Sequence, residues 1–221
     1  MKKILLVVVI IIFITLLLPL AIVWLIGGSG EGQSPIESGT VSVYVSEEDC
    51  VKDMDINEYL KCVVAAEMPA DFEEEALKAQ AVAARTYLYS HIAEKDKGNI
   101  AESHNGAAIC TDSTHCQAYI SEDKRRESWG AGAEENWNKI STAVDETTGQ
   151  IMTYNDEIIS AVFHSTSSGI TESAVDVWGA DVPYLQSVAS TGDEESPKYH
   201  SELTLSEQEF KNITKAKIDG V

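Results

Sequence analysis

A long run of uncharged, mostly apolar residues lies near the N-terminus of the chain. No charge occurs from Ile4 to Ile26, and Lys2 and Lys3 precede this run. About 23 apolar residues match the length that spans a bilayer, and basic residues on the short side predict a cytoplasmic N-terminus. We therefore predict a transmembrane anchor over residues 1–27. A cleaved signal peptide is the alternative, but its apolar region is typically only about 7 to 15 residues and precedes a small-residue cleavage site, which is not seen after Ile26.

A polar linker and then a strand are predicted to follow the anchor. Residues 28–40 are rich in Gly and Ser at their start, which is typical of a flexible tether. Apolar and polar residues alternate from Val41 to Val45, and this period of two predicts a strand. Residues 41–221 are long enough for one domain with a real core. We expect a single extracytoplasmic α+β domain.

The next pattern is helical, with Asp55 suited to be the N-cap. Apolar residues recur on one face at helical spacing, namely Ile56, Leu60, Val63 and Val64. Pro69 ends the helix because the residue before a proline disfavours the helical conformation. Glu67 therefore lies in the last turn, among apolar neighbours and at the negative end of the helix dipole, and both effects favour a protonated carboxyl. Glu67 is a candidate catalytic acid, although a single Glu near a helix end is more commonly a solvated surface residue.

A second helix is predicted from Glu73 to about Ile92. Acidic residues at its start complement the positive end of the helix dipole. Its many alanines leave little side-chain bulk: Ala76, Ala79, Ala81, Ala83 and Ala84. The two helices are therefore expected to pack closely and to bring Arg85 near Glu67.

The segment from Asp96 to Tyr119 has no apolar period, and a loop of this length needs something to hold it. It contains two thiols and two imidazoles, the ligands that tetrahedral Zn²⁺ prefers: His104, Cys110, His115 and Cys116. The spacing is unusual, since zinc fingers separate their cysteines by about two to four residues. A Cys110–Cys116 disulfide, accompanied by a Cys50–Cys62 disulfide, fits an extracytoplasmic domain equally well.

The second half of the chain predicts a helix over residues 136–144 and a β-hairpin. The hairpin strands are 151–154 and 158–163, around Asn155 and Asp156. Its second strand leads into a polar turn over residues 164–169, which is either a ligand-binding turn or an ordinary Ser/Thr-rich loop. The candidate ligand contacts are Ser165, Thr166 and Ser167.

Two aromatic residues, Trp178 and Tyr184, follow this turn. They fit either a sugar subsite or a cover for the core, and the sequence favours neither interpretation.

The charge of the chain argues against one class of partner. The formal net charge is −20, and without Lys2 and Lys3 the remainder has 14 basic and 36 acidic residues, a charge of −22. Nucleic acid is an unsuitable partner for such a field, whereas an uncharged or partly neutral polymer such as a glycan is compatible with it.

Three blocks in order resemble the stage II sporulation protein D family. They are AAEMPADFEEEALKAQAVAARTY at Ala65–Tyr87, TDSTHCQAY at Thr111–Tyr119 and FHSTSSGITESAVDVWG at Phe163–Gly179. The resemblance covers roughly residues 41 to 200. It implies a membrane-anchored lytic transglycosylase that cleaves peptidoglycan glycan strands while the mother cell engulfs the forespore.

The resemblance also implies roles for single residues. Glu67 matches the catalytic acid of the family, and Arg85 matches an arginine important for activity. The two imidazoles and two thiols of the loop match the zinc ligands of clostridial members, where the metal is structural. The family further implies the amidase stage II sporulation protein P and the membrane protein stage II sporulation protein M as partners.

One departure from the family and two alternative functions remain at this point. Family members continue into a segment of the GHGxGMSQ type, which is not seen before Val221, so we expect the domain to lack its C-terminal part. A non-catalytic wall-binding or scaffold protein would not need Glu67. A zinc or cysteine hydrolase would need an open metal position, or an exposed thiolate beside a base, such as Cys116 with His164.

Overall fold

The computed structural model describes residues 39–196 and 199–214. They form two compact units divided after Ala161, where the sequence predicts one domain. The predicted α+β class is confirmed. The predicted anchor and all but the last two residues of the predicted linker lie outside the described residues. Within the described ranges, none of the helices combines the length and apolar composition needed to cross a bilayer.

A three-stranded sheet opens the first unit. The predicted strand is confirmed as β1 (Thr40–Val45), which buries Val41, Val43 and Val45. It lies between β2 (Cys50–Asp55), which is antiparallel to it, and β3 (Ile109–Cys110), which is parallel to it. Sequence analysis missed β2 because this edge strand is mostly exposed and shows no clean alternation. It missed β3 because a two-residue strand leaves no periodic pattern.

Four helices complete the first unit: α1 (Ile56–Glu67), α2 (Glu74–Asp96), α3 (Glu122–Trp129) and α4 (Ala133–Glu146). The Asp55 carboxylate accepts hydrogen bonds from the N–H groups of Asn57 and Glu58, as an N-cap does. The unpredicted α3 has no buried residue and therefore no apolar stripe. Helices α1, α2 and α4 pack on one another around a common core whose fully buried members include Leu60, Val63, Val64, Leu77, Leu88, Ile140 and Val144.

The predicted hairpin is present but shorter than expected. Strands β4 (Thr153–Tyr154) and β5 (Glu157–Ile158) flank Asn155 and Asp156, whose positive φ angles of 51° and 65° suit a two-residue turn. The prediction that the second strand runs to Phe163 is wrong. Because β4 has only two residues, β5 has pairing partners for only two residues and ends at Ile158.

The second unit, residues 162–214, contains little regular structure. Helix α5 (Ala174–Trp178) and a single antiparallel bridge between Ile170 and Ala189 organise its first half. A short 3₁₀ turn (Asp193–Glu195) follows, and α6 (Glu207–Thr214) comes last. Two backbone N–H groups at the start of α6 are satisfied by a capping box between Ser206 and Glu209.

Candidate functional site

Glu67 is the last residue of α1, as its position before a proline predicts. Met68 leaves the helix with extended backbone (φ −130°, ψ 135°), ahead of Pro69. The preceding residues of the helix, Val63 to Ala65, are buried, whereas the Glu67 side chain is half-buried. Its Oε1 accepts a hydrogen bond of 2.7 Å from the backbone N–H of Ala118. A backbone donor of this kind stabilises a carboxylate and orients it, and the sequence pattern did not indicate it.

The donor belongs to a segment that runs along α1. Tyr119 stacks on Tyr59 of α1, with ring centroids 5.8 Å apart and an interplanar angle of 17°. The N–H of Ile120 donates to the carbonyl of Cys62, also in α1, at 3.4 Å. The same segment begins at Cys116. The cysteine- and histidine-rich loop therefore continues directly into Ala118, whose N–H contacts Glu67.

The four predicted ligands converge. His104 ends a 3₁₀ turn (Glu102–His104), Cys110 lies in β3, and His115 and Cys116 follow a turn stabilised by Asp112. His104 and Cys110 are buried, Cys116 is half-buried and His115 is exposed. All four donor atoms lie within 4.8 Å of one another.

The measured separations of the donor atoms lie within or slightly below the range that a single metal ion requires. His104 Nε2 lies 3.1 Å from His115 Nδ1 and 3.2 Å from Cys116 Sγ. His115 Nδ1 lies 3.4 Å from Cys116 Sγ and 3.6 Å from Cys110 Sγ. Two ligands on a tetrahedral ion with bonds of about 2.0–2.3 Å are separated by about 3.3–3.8 Å. The cluster could therefore hold a metal ion.

The alternative disulfides are not formed. Cys50, Cys62, Cys110 and Cys116 are all free thiols in the structure. The Cys62 thiol is buried next to Tyr119, and burial raises the pKa of Cys62 to about 11. Cys50 and Cys62 therefore do not form the pair that would accompany a Cys110–Cys116 disulfide.

Neighbouring groups orient the cluster. Ser103 Oγ lies 3.1 Å from His115 Nε2, the ring nitrogen that faces away from the other ligands. The backbone of Ala108 is a hydrogen-bond partner of His104, and the side chain of Tyr87, in α2, is one of Cys116. Burial lowers the pKa of His104, which favours the neutral imidazole that binds metals. Such partners fix the orientation of metal-binding side chains.

Arg85 has partners other than the one expected. It is 1% exposed, and its terminal nitrogens donate to the carbonyl of Thr147 at 2.6 Å and to that of Val144 at 3.0 Å. These carbonyls lie at the C-terminal end of α4, where the helix dipole attracts a cation. Burial lowers the pKa of Arg85. Across residues 39–196 and 199–214, no hydrogen bond or ion pair joins Arg85 to Glu67, so the expected pairing is not observed.

The polar turn predicted to contact a ligand lies in the second unit. The N–H and hydroxyl of Ser167 both donate to Asp193, and these hydrogen bonds lower the pKa of Asp193. The hydroxyls of Thr166 and Ser196 lie 3.1 Å apart, while Ser165 is exposed. Two of the three candidate side chains are therefore held by the protein itself.

A cavity of about 540 Å³ lies beside this turn, within the second unit. Its walls include Thr166, Ser167, Phe163, Trp178 and Tyr184. Trp178 is 60% exposed, so it does not cover the core. The interpretation as a cover for the core therefore does not apply to Trp178.

Comparison with known proteins places the chain in a family. The sequence model described as stage II sporulation protein (SpoIID) matches residues 44–154, half of the chain. The chain belongs to the stage II sporulation protein D family. The matched region of this family member contains Glu67, Arg85 and the four residues of the cluster, and it ends before the Ser165–Ser167 turn.

Curated relatives extend the match. Stage II sporulation protein D of Bacillus subtilis (strain 168) is 38% identical over 194 residues, which is 87% of this chain and 55% of the relative. That of Bacillus amyloliquefaciens is 38% identical over 188 residues, 85% of this chain and 53% of the relative. The amidase enhancer of Bacillus subtilis is 36% identical over 151 residues, 68% of this chain and 17% of the relative. The chain spans about half the length of the stage II sporulation protein D relatives.

Several residues of the site in this family member were not foreseen. Ala118 carries no functional side chain, so its backbone contribution leaves no sequence signal. Thr147 carries no sequence signal for its contact with Arg85, and Asp193 is 26 positions along the chain from Ser167, which it holds. Tyr87 occurs within a quoted motif, but only the fold places it against Cys116.

Proposed function

We propose that this protein is a lytic transglycosylase that cleaves the bond between N-acetylmuramic acid and N-acetylglucosamine in peptidoglycan, after an amidase has removed the stem peptides. The observation that carries the proposal is the position of Glu67. It is a half-buried carboxylate at a helix end, oriented by a backbone N–H, in the region that matches the family model. The proposed role is wall remodelling during forespore engulfment.

One carboxylate is sufficient for this reaction. A retaining glycosidase needs two carboxyl groups about 5 Å apart, but in a lytic transglycosylase the C6 hydroxyl of the muramic acid is the nucleophile. Glu67 first protonates the glycosidic oxygen. The resulting carboxylate then accepts the proton of the C6 hydroxyl while that oxygen attacks C1, and a 1,6-anhydro sugar is released.

The contact with Ala118 gives the two carboxylate oxygens of Glu67 different roles. Because Oε1 accepts the Ala118 N–H, we assign both proton transfers to Oε2. The N–H stabilises the negative charge that appears after the first transfer. Arg85 supports activity indirectly in this proposal, by holding α2 against the end of α4.

The substrate contacts proposed in the second unit are the residues of the polar turn. Thr166 and Ser167 line the cavity there, and Ser165 is the exposed hydroxyl between His164 and Thr166. Hydroxyl groups of this kind suit sugar hydroxyls and acetamido groups, and an exposed aromatic ring such as Trp178 suits the apolar face of a sugar.

We propose Zn²⁺ as the ion of the cluster, with His104, Cys110, His115 and Cys116 as ligands. Two thiolates and two imidazoles are a typical structural zinc set, their donor atoms lie within 4.8 Å of one another, and four protein ligands leave no open position. Elemental analysis of protein purified without added zinc is expected to find one zinc per chain. Cys110→Ser should lose the zinc and Cys50→Ser should keep it, whereas a metal-free active wild type would contradict the ligand set.

Location and partners complete the proposal. We propose a single-pass membrane protein with a cytoplasmic N-terminus and the domain on the extracytoplasmic side, in the space between the two membranes of the sporangium. The charge of −20 makes nucleic acid an unsuitable partner. The proposed protein partners are the amidase stage II sporulation protein P and the membrane protein stage II sporulation protein M.

The decisive experiment measures products. The full 221-residue chain in detergent is incubated with amidase-treated peptidoglycan, and anhydro-disaccharides and longer anhydro products are sought by mass spectrometry. Glu67→Gln keeps the shape of the side chain but cannot transfer protons. It is expected to lower the rate by a factor of about 10² to 10⁴. Glu58→Gln, an exposed position of the same helix, is the matched control. Unchanged product formation by Glu67→Gln would refute the assignment.

A second candidate function is suggested by one relative. The name of the amidase enhancer describes a protein that stimulates another enzyme, which favours a non-catalytic wall-binding or scaffold role. In that case no anhydro product forms, and both wild type and Glu67→Gln stimulate the release of stem peptides by a partner amidase to the same extent.

A further inference from the structure

The cluster and Glu67 are connected by a very short path. Cys116 belongs to the cluster, and Ala118, two residues further, donates its N–H to Glu67 Oε1 at 2.7 Å. Gln117 between them is only 3% exposed, and in the described part of the chain neither side-chain amide atom of Gln117 has a hydrogen-bond partner. The middle residue of the connecting segment is thus enclosed by the protein, while Cys116 and Ala118 on either side are half-buried.

Both ends of this segment are fixed to different elements. At one end, the N–H of Cys116 donates to the carbonyl of Asp112 at 2.8 Å, and the thiol of Cys116 has Tyr87 of α2 as a partner. At the other end, the N–H of Ile120 donates to the carbonyl of Cys62 in α1. Ala118 therefore lies between an anchor at Cys116 and an anchor on α1, and its position relative to Glu67 depends on both.

We propose that the cluster is a positioning element for Glu67. An ion bound by Cys116 fixes the segment from Cys116 to Ala118, and the Ala118 N–H then orients the Glu67 carboxylate. The inference rests on the proposed function for the catalytic role of Glu67, but the link between the cluster and the Glu67 carboxylate does not depend on turnover. Coupling between two sites is reciprocal, so the Glu67 contact also favours the loop conformation that binds the ion.

Zinc affinity of the full chain tests this link, measured by competition with a chromophoric chelator. Glu67→Ala removes the acceptor of the Ala118 N–H and is expected to weaken zinc binding about tenfold, as loss of a group that orients metal ligands does. Glu67→Gln keeps a carbonyl oxygen for this N–H and should stay within about threefold of wild type. Glu58→Ala, an exposed position of α1 with Lys61 as its partner, is the control and should bind like wild type.

Two outcomes would overturn the inference. One is wild-type zinc affinity in Glu67→Ala, and the other is equal weakening in Glu67→Ala and Glu67→Gln, which would show that the charge acts and the hydrogen bond does not. Hydrogen exchange of the wild-type Ala118 amide provides a measurement that needs no variant. Zinc should slow this exchange at least about tenfold, and an unchanged rate would also overturn the inference.

The affinity measurements are independent of glycan cleavage. A chain that shows the expected affinities but forms no anhydro product would refute the proposed function and support the positioning role. If the chain forms the product while Glu67→Ala binds zinc normally, the proposed function is supported and the positioning role is refuted.

Discussion

Glu67 and Arg85 are both charged side chains placed at the C-terminal end of a helix, and their surroundings differ in an informative way. Arg85 is buried against the carbonyls that end α4, where a cation complements the dipole. Glu67 ends α1, where the same dipole opposes a carboxylate, and it accepts a hydrogen bond from an N–H of a loop. The arginine therefore complements the helix end that it contacts, whereas the glutamate lies against the dipole of its own helix.

Removal of Arg85 is the largest effect expected on stability. Arg85→Ala leaves the carbonyls of Val144 and Thr147 without their buried donor and opens a cavity in the core. The free energy of unfolding should fall by about 3–5 kcal/mol in urea denaturation. Replacement of the exposed Lys97, the C-cap residue of α2, by Ala should change it by less than about 0.5 kcal/mol. A loss below about 1 kcal/mol for Arg85→Ala would remove the contrast with Glu67.

An intermediate effect is expected at Thr147, whose hydroxyl lies 3.2 Å from an Arg85 nitrogen and donates to the carbonyl of Ala143 at 2.8 Å. Thr147→Val keeps the shape and removes one acceptor of the guanidinium, so it should cost about 1 kcal/mol. In the Arg85→Ala background this loss should shrink to less than half, because the donor is already gone. Thr142→Val, at an exposed position of α4, serves as control. Equal losses in both backgrounds would show that the two residues act independently.

The smallest change in stability is expected at Glu67 itself. In Glu67→Gln, relief from the helix dipole is worth about 0.3–1 kcal/mol, and weakening of the charge-assisted hydrogen bond to Ala118 opposes it. The free energy of unfolding should therefore stay within about 1 kcal/mol of wild type, although activity should fall by at least about two orders of magnitude. A loss above about 2 kcal/mol in urea denaturation would mean that Glu67 serves the fold.

The success of sequence analysis differed between elements for physical reasons. Strand β1 and helices α1, α2 and α4 bury regular apolar faces, so their periodic patterns were sufficient. Strand β2 and helix α3 are largely exposed and carry no such pattern. The hairpin turn was predicted because Asn155 and Asp156 tolerate positive φ angles, but the length of β5 depends on a partner strand that the local sequence does not specify.

The candidate site shows the same division. The four side chains that could bind a metal were foreseen because their chemistry is specific even when their spacing is not. The pairing of Arg85 with Glu67 was expected from small residues between two helices, but small residues allow close packing without determining what a charged side chain contacts. A buried guanidinium requires several acceptors, and the end of α4 supplies them.

By itself the sequence determined the α+β class, the helix that ends at Glu67 and which four side chains of the loop could bind a metal, because each follows from local periodicity or from the chemistry of single side chains. Only the tertiary structure decided that Arg85 contacts the carbonyls at the end of α4 and that the N–H of Ala118 contacts Glu67. These contacts join residues 51 to 62 positions apart and involve backbone N–H and C=O groups. Every residue except proline carries both groups, so no residue type marks the positions where they are used.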